Sequence, residues 1–443
     1  MFTVYNLLLN LAFILSFPYL LLRAAWGKHG IKERMGFLSK DKLEKISSKK
    51  VIWFHAASVG EIKALSTIIP QVRKDHPEYT LVVSTITKSG RKEAERILKE
   101  IEFVFLLPVD LKRFVGRALD KIQPKALILV ETELWPNLIG EAKKRGCFMA
   151  MINGRISHRS FKRYLTVRSL FKQTLSCFDL LCVQTEEHKE RLIRLGADPD
   201  KIRVTGNLKF DRLLYVSESS SKDQLKKKLG IPDKYLVIIG GSIRSGEEQI
   251  LLRVFVKLKS EKDNLIFILA PRHLNKLNEV ERVLSGMKLR FIRRSKLDGN
   301  IRSDQTDVIL LDTIGELSGL YALADVAFVG GSLVPVGGHN LLEPAIYGVP
   351  VIFGPYMDHF KEEAKILTES GGGIQVKNEE ELILKLSSLI TYPEKRVRLG
   401  QSAKTAIWKE TGVSKRTTDL IFSFLDSDRS QSAAGSPPPT LNI

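Results

Sequence analysis

Short apolar runs alternate with amphipathic segments along most of the chain after residue 50. Most of these runs are continuously apolar, which is typical of strands covered on both faces of a parallel sheet. The pattern predicts two successive doubly wound α/β units, each of the Rossmann-like type. The predicted strands are 51–55, 81–85, 103–107, 126–130, 148–152, 180–184 and 202–205 in the first half, then 236–240, 265–270, 289–292, 308–311, 326–329 and 351–353.

A polar segment, rich in serine and lysine, separates the two sets of strands and predicts a linker. The composition therefore divides the chain into an apolar N-terminal segment (1–22), a first unit (23–216), a linker (217–234), a second unit (235–426) and a disordered polar tail (427–443). Ligands of doubly wound sheets bind beyond the carboxyl ends of the strands, so we expect a site in a cleft between the units.

Residues 1–22 contain no charged side chain and are mostly apolar. This length is close to the roughly 20 residues that span a bilayer, and the basic residues Arg23, Lys28, Lys32 and Arg34 follow it. The positive-inside rule places such residues in the cytoplasm. The segment predicts an N-terminal membrane anchor, either a spanning helix or a helix lying flat in one leaflet.

The chain carries 69 Lys+Arg against 50 Asp+Glu among its 443 residues, a formal net charge of +19. Such a balance favours an anionic partner, and no zinc-finger, RNA-recognition or basic-zipper pattern directs it to nucleic acid. We therefore expect an anionic membrane surface or a phosphorylated substrate. The three cysteines, Cys147, Cys177 and Cys182, have apolar neighbours and no C-x-x-C spacing, which predicts free thiols.

The segment GGSLVPVGGHNLLEPA (330–345) follows the predicted strand 326–329. Its four glycines allow a ligand to approach the backbone, and Asn340 is a candidate N-cap for a helix through Tyr347 that Gly348 would end. A helix N-terminus suits a phosphate, and the Glu343 carboxylate could accept bonds from two vicinal hydroxyls. Together they indicate a nucleotide, although a glycine-rich turn alone is a weak signal.

Polar residues follow several strands of the first half, where a doubly wound sheet binds its ligands. Glu61 follows the first strand and could take a proton from an acceptor hydroxyl. Glu131 follows the strand 126–130, NGRIS (153–157) follows the next, and Lys209 lies after the strand 202–205. Each carboxylate could instead be only a helix dipole partner, but several such junctions at one edge favour a site.

The second half repeats this arrangement. Arg272 follows a predicted strand and could bind a phosphate in a bidentate manner. Thr313 and the backbone around Gly315 follow another strand and could contact a base edge. The segment 240–244, which ends at Arg244, lies at another strand end, but it could be only a turn beside the linker, so it is a weaker candidate. No paired metal-ligand spacing, Walker-type loop or G-x-S-x-G elbow occurs, so we predict neither a metal site nor a bound cofactor.

Seven segments together resemble the transferases of 3-deoxy-D-manno-octulosonic acid (Kdo) in lipopolysaccharide synthesis, in order and over most of the chain. They are HAASVGE (55–61), ETELWPN (131–137), NGRIS (153–157), GNLKFD (206–211), PRH (271–273), TIGEL (313–317) and the segment 330–345. The resemblance implies a GT-B fold, CMP-Kdo as donor, a lipid A precursor as acceptor, and attachment to the cytoplasmic face of the bacterial inner membrane.

The same resemblance implies a role for each matching residue. Glu61 would be the general base, and Glu131 and Lys209 would stabilise the transition state. The CMP-binding residues would be Arg272, His273, Thr313, Ile314, Gly315, Asn340, Leu341, Leu342 and Glu343.

The chemistry agrees with the interpretation made from the residues alone. Attack by the acceptor on the face opposite the departing CMP predicts inversion at the anomeric carbon, by analogy with inverting glycosidases. The alternatives are another GT-B enzyme, such as a nucleotide-sugar 2-epimerase or a different lipid glycosyltransferase, and a membrane-tethered nucleotide-binding scaffold. The number of Kdo residues transferred and the oligomeric state stay open.

Overall fold

The computed structural model describes residues 1–25, 30–217, 222–297 and 305–433. Contacts divide the chain into two compact units, the first formed by Met1–Arg212 with Gly412–Ile443 and the second by Leu213–Thr411. Each unit contains one parallel sheet with helices on both faces, as the alternating pattern predicts.

The first unit contains seven strands in the order β3-β2-β1-β4-β5-β6-β7, all parallel. They are β1 (Lys50–His55), β2 (Tyr79–Thr85), β3 (Phe103–Leu106), β4 (Ala126–Val130), β5 (Phe148–Gly154), β6 (Leu180–Val183) and β7 (Ile202–Val204). The strand order reverses between β1 and β4, which is the switch point where such sheets bind ligands.

The helices within the described part of the first unit are α1 (Phe2–Ala25), α2 (Ile31–Arg34), α3 (Lys40–Glu44), α4 (Val59–Asp75), α5 (Lys88–Ile97), α6 (Lys112–Ile122), α7 (Pro136–Lys144), α8 (His158–Thr166), α9 (Arg168–Leu175) and α10 (Glu186–Leu195). Next, α11 (Lys209–Ser217) leads from the first unit into the second. Alternate side chains of each strand enter separate apolar cores on the two faces, as Trp53 and Phe54 do.

The second unit has the strand order β10-β11-β9-β8-β12-β13-β14, again parallel, with its switch point between β8 and β12. The strands are β8 (Leu236–Ile243), β9 (Leu265–Pro271), β10 (Phe291–Arg293), β11 (Val308–Leu310), β12 (Val326–Val329), β13 (Val351–Phe353) and β14 (Gly373–Gln375). The helices are α12 (Lys222–Lys228), α13 (Glu247–Glu261), α14 (Leu277–Gly286), α15 (Leu317–Leu320), α16 (Leu342–Ala345), α17 (Lys361–Glu369), α18 (Glu379–Thr391) and α19 (Pro393–Glu410).

The last helix, α20 (Val413–Ala433), returns to the first unit, so assigning residues up to 426 to the second unit was wrong for 412–426. Its apolar side chains Ile421, Phe422 and Leu425 join the core between the first sheet and α4. The Asp211 carboxylate, which is buried, accepts the N–H groups of Gly412, Val413 and Ser414 and so holds the start of α20.

All thirteen predicted strands are present within three residues of their predicted bounds, and β14 was not predicted. The predicted linker contains the short helix α12, whose seven residues include one leucine and four lysines; residues 218–221 lie outside the described part. The predicted tail begins too early, since α20 continues through Ala433, and 434–443 also lie outside the described part. Across the described ranges, no helix meets the length and hydropathy needed to cross a bilayer.

Candidate active site

Glu61 lies in the first turn of α4, directly after the carboxyl end of β1. Ser58 caps this helix by accepting the N–H of Glu61 at 3.3 Å, which is the pattern of a capping box. The carboxylate accepts the Ala57 N–H at 2.7 Å and the Ser58 hydroxyl at 2.8 Å. These bonds fix the position of both carboxylate oxygens at the switch point of the first sheet.

The Glu61 side chain is unusual for a capping residue because the residue is only 7% exposed. Burial raises its pKa from 4.5 to about 7, with the nearby Glu133 and Glu131 carboxylates adding to the shift, while the two hydrogen bonds act in the opposite direction. A carboxylate with a pKa near neutrality is suited to accept a proton. The structure therefore places a candidate base where the sequence predicted one.

Glu131 follows β4, which is the neighbour of β1 in the sheet. It has a φ of 60°, a left-handed conformation that is uncommon for a residue with a side chain, and its carboxylate accepts the Arg155 guanidinium at 2.8 Å. Glu133 contacts the buried His55 ring at 3.9 Å. Glu131 and Glu133 therefore lie near enough to Glu61 to raise its pKa, and a left-handed backbone beside three carboxylates is typical of functional sites.

Lys209 begins α11, beyond the end of β7. Its backbone N–H donates to the Asn207 side chain, which itself donates to Gln184 at 3.0 Å. Gln184 donates to the carbonyl of Asn153, whose side chain accepts the Leu208 N–H. This amide network ties the start of α11 to the ends of β5 and β6, and it places Lys209 at the same edge of the first sheet as the carboxylates.

The glycine-rich segment of the second unit follows β12, as predicted, and Gly331, Gly337 and Gly338 all have positive φ values. A buried carboxylate that the sequence did not reveal holds its first residues. Glu247 accepts the N–H groups of Gly331 at 2.6 Å and of Ser332 and Leu333 at 2.9 Å each. The start of the loop is therefore fixed to the first turn of α13.

The predicted helix from Asn340 through Tyr347 is shorter than expected, because α16 covers only Leu342–Ala345. Pro344 donates no N–H, and the chain leaves the helix through a turn that ends at Gly348 with a φ of 74°. Asn340 still accepts the Leu342 N–H at 3.1 Å and donates to Glu343 at 3.2 Å. One helical turn has a weak dipole, so the start of α16 would attract an anion less than the predicted longer helix.

Arg272 and His273 follow β9, and their side chains are exposed. Arg244 follows β8 and donates to the His273 ring at 2.6 Å and to the His339 ring at 3.1 Å. Burial lowers the pKa of His339 to about 4, and the positive charges of Arg244 and Arg272 lower it further. The segment 240–244 lies at a strand end, as predicted, because residues 240–243 complete β8 and lead to the basic cluster of Arg244, Arg272, His273 and His339, so the alternative of a turn beside the linker was wrong.

Thr313, Ile314 and Gly315 lie after β11, at the same edge of the second sheet as Arg272. The Thr313 hydroxyl donates to Glu316, the Ile314 side chain is 89% exposed, and Gly315 has a φ of 91°. Leu341 and Leu342 are buried. Only their backbone groups are thus suited to a ligand, whereas the segment 313–315 presents both backbone and an apolar side chain.

Two residues of the candidate site were not among the predicted site residues, Arg244 because its segment was ranked lower and Glu247 because it was not recognised. Arg244 had a usable signal, since it follows a buried strand just as Arg272 does. Glu247 had none, because its partners in the glycine loop are 84 to 86 residues away along the chain. The structure therefore adds one cation and one anchoring carboxylate to the predicted second half of the site.

Two doubly wound parallel sheets, one with carboxylates and the other with a basic, glycine-rich edge at the switch point, resemble the paired Rossmann-like domains of the GT-B class of proteins. The crystal structure of UDP-GlcNAc 2-epimerase from Neisseria meningitidis has the same fold, with a TM-score of 0.59 and 16% identity over 84% of this chain and 100% of that one. The family model described as 3-deoxy-D-manno-octulosonic-acid transferase (kdotransferase) matches residues 29–212.

A 3-deoxy-D-manno-octulosonic acid transferase from Haemophilus influenzae is 33% identical over 85% of this chain and 87% of the relative. The chain belongs to the Kdo transferase family, and it is a glycosyltransferase. A bifunctional glycosyltransferase/methyltransferase from Fusobacterium nucleatum is 35% identical over 87% of this chain, which spans 59% of that longer protein.

Proposed function

We propose that the protein is an inverting glycosyltransferase that moves Kdo from CMP-Kdo to a lipid A precursor, lipid IVA, with Glu61 as general base. The single observation that supports the base most strongly is the buried, hydrogen-bonded Glu61 carboxylate, whose pKa is raised to about 7. Membership of the Kdo transferase family supports the sugar. The net charge of +19 suits a phosphorylated lipid acceptor.

In this reaction the oxygen of the acceptor hydroxyl forms a bond to the anomeric carbon of Kdo. The bond between that carbon and the CMP phosphate oxygen breaks, and the hydroxyl proton passes to Glu61. Positive charge builds on the sugar during the step, which an anionic neighbour such as Glu131 stabilises. Lys209 is the second residue that stabilises the transition state, and its ammonium group stabilises negative charge that develops in the same step.

The second unit holds the donor in this proposal. The exposed guanidinium of Arg272 is suited to bind the phosphate and to stabilise it as CMP leaves. Glu343, oriented by Asn340, is suited to accept hydrogen bonds from the ribose hydroxyls. The segment 313–315 contacts the base, and Leu341 and Leu342 contribute backbone groups.

We also propose that α1 attaches the protein to the cytoplasmic face of the inner membrane. One face of this helix packs on the first unit, where Tyr5 donates to the buried Asp110 at 2.7 Å and Asn6 accepts from Asn137 at 2.7 Å. The opposite face exposes an apolar stripe, formed by Val4, Leu7, Leu8, Leu11, Ile14 and Leu15. A helix with one face docked and one face apolar favours attachment in the plane of one leaflet.

Replacing Leu8, Leu11 and Leu15 with serine should reduce binding to vesicles that contain phosphatidylglycerol by at least about tenfold, because each buried leucine contributes about 1.5–3 kcal/mol. Flotation of the protein with vesicles measures this binding. The matched control replaces Leu384 and Val397, which are equally exposed apolar residues of the second unit, and should leave flotation unchanged. Equal flotation of all variants would contradict the proposed role of the stripe.

The whole function is tested by incubating the purified protein with CMP-Kdo and a tetraacylated lipid A precursor. We expect release of CMP and a lipid product heavier by one or more Kdo residues, which mass spectrometry detects and counts. A 2-epimerase would change a UDP-linked sugar without an acceptor, and a scaffold would bind nucleotide without turnover. Either of those results, without a lipid product, would contradict the proposed function and support the corresponding alternative.

A further inference from the structure

Arg244 makes an unusual set of contacts for an arginine of a binding site. Two of the five N–H donors of its guanidinium go to the His273 and His339 rings, which leaves three for a ligand. Both rings meet the guanidinium through Nε2, so imidazole groups and not carboxylates hold the Arg244 side chain. The side chain is half-buried at the carboxyl end of β8, beside the switch point of the second sheet.

The backbone of Arg244 is fixed to the glycine loop through one atom. Its N–H donates to the Oε2 atom of Glu247 at 2.9 Å, and the same oxygen accepts the Gly331 N–H at 2.6 Å. A Cβ atom on Gly331 would lie 3.0 Å from the His339 ring and 3.6 Å from the Arg244 side chain. The guanidinium therefore has a set position relative to the loop before any ligand binds.

The two arginines of this cluster are not paired with acidic side chains. Within the described ranges, neither Arg244 nor Arg272 forms an ion pair with a carboxylate, although the Glu248 side chain lines the same small pocket as Arg244. The nearest carboxylate to the Arg244 backbone, that of Glu247, is occupied by backbone N–H groups. Two guanidinium groups that follow neighbouring strands, neither of them in an ion pair, are suited to a ligand with two negative groups.

We propose that Arg244, held by His273 and His339, binds the sugar carboxylate of the donor, while Arg272 binds its phosphate. This inference rests on the proposed function, because the donor named there is an ulosonic acid nucleotide with both groups. In such a donor the carboxylate and the phosphate ester are bonded to the same anomeric carbon. Two cations at adjacent strand ends, as β8 and β9 provide, are suited to bind two anions that lie so close to each other.

The assignment has a consequence for specificity. A sugar nucleotide without a carboxylate would bind Arg272 but leave Arg244 desolvated and without an anion, which costs binding free energy. The subsite would thus select CMP-linked ulosonic acids over neutral sugar nucleotides. Free CMP lacks the carboxylate, so its affinity for the protein should not depend on Arg244.

The test compares Arg244→Gln with Arg272→Gln, using CMP and CMP-Kdo as separate probes. For Arg244→Gln we expect the KM for CMP-Kdo to rise about 10- to 100-fold, while the Kd for CMP, measured by calorimetry, changes less than about twofold. Arg272→Gln should weaken both. If Arg244→Gln alters folding, Arg244→Lys is tested instead, because lysine keeps the positive charge but cannot bind a carboxylate in a bidentate manner. This variant should give a smaller rise in the KM for CMP-Kdo and leave the CMP affinity unchanged.

Arg253→Gln removes a cation of the same unit that is paired with Glu379, so it controls for the loss of net charge and should leave both constants unchanged. An equal loss of CMP and CMP-Kdo binding in Arg244→Gln would assign Arg244 to the phosphate and overturn the inference. An unchanged KM would overturn it too. Turnover of CMP-Kdo by the unaltered protein is measured first, and its absence would reject the proposed function instead.

Discussion

The Glu61→Gln variant should transfer Kdo about 10²- to 10⁴-fold more slowly than the unaltered protein, which is the range for removal of a general base. The amide keeps the size of the side chain and can still accept the Ala57 N–H, but it cannot take the acceptor proton. CMP affinity should not change, because the proposed donor residues belong to the other unit. Steady-state assays of lipid product and calorimetry with CMP measure the two effects.

A matched control is Glu95→Gln, which removes an exposed carboxylate of the first unit from a surface ion pair with Arg91. Its transfer rate should stay within about twofold of the unaltered protein, since exposed ion pairs contribute little. If Glu61→Gln kept more than a tenth of the normal rate, Glu61 would not be the base, and Glu131 or Glu133 would have to be tested in its place.

The pH dependence of transfer provides an independent sign of the same role. Glu61 accepts a proton only when ionised, so kcat/KM should fall as the pH drops below about 7, the value to which burial raises its pKa. Stability should show the opposite trend. The pKa of Glu61 in the folded protein lies above the ordinary 4.5. The stabilisation that comes from protonated Glu61 is therefore complete below pH 4.5 and is lost as the pH rises through 7.

Glutamine resembles the protonated acid, so Glu61→Gln should escape this loss. Urea unfolding at pH 8 should find the variant more stable than the unaltered protein by on the order of 2–3 kcal/mol, and near equality is expected at pH 5. A variant that is less stable at pH 8 would show that the capping bonds matter more than the burial of charge.

Replacing Glu247 with alanine should lower the free energy of unfolding by about 3–5 kcal/mol and weaken CMP binding by at least about tenfold. The carboxylate accepts four backbone N–H groups, from Arg244, Gly331, Ser332 and Leu333, and alanine would leave all of them without their acceptor. The loop would then lose its fixed start. Chemical unfolding and CMP calorimetry give the two quantities.

Asp325→Asn is the matched control for Glu247→Ala. Its carboxylate also accepts a backbone N–H, that of Val237 at 2.8 Å, and an ion pair from Lys222, but at the opposite edge of the same sheet. For Asp325→Asn we expect a lower free energy of unfolding and an unchanged CMP affinity. If Glu247→Ala bound CMP normally while being equally destabilised, the anchoring carboxylate would have a purely structural role.

The parts of this molecule that the sequence predicted well depend on local pattern. Strands such as β4 and β13 are continuous apolar runs that end at polar junctions, and burial of both faces requires that composition. The strand β14, with the residues Gly-Ile-Gln, was missed because a half-exposed edge strand needs no apolar run. Glu61 was found because it lies in the first helical turn after a strand, whereas its raised pKa arises mainly from burial in the folded chain, with smaller contributions from Glu133 and Glu131.

Long-range contacts explain what the sequence did not predict. Glu247 lies in a polar segment typical of a solvated helix start, and only contact with the distant glycine loop makes it a buried residue. Likewise, nothing in the composition of α20 distinguishes a helix that completes the second unit from one that returns to the first. The stacking of Phe422 on His76 could be known only from the folded chain.

The return of α20 has a consequence for synthesis of the protein on the ribosome. The second unit is complete once Thr411 has been made, but the first unit then still lacks the helix that supplies Ile421, Phe422 and Leu425 to its core. The half that is translated first is therefore the half that finishes folding last. A fragment ending at residue 212, where the family match stops, would leave this apolar surface on α4 uncovered and prone to aggregation.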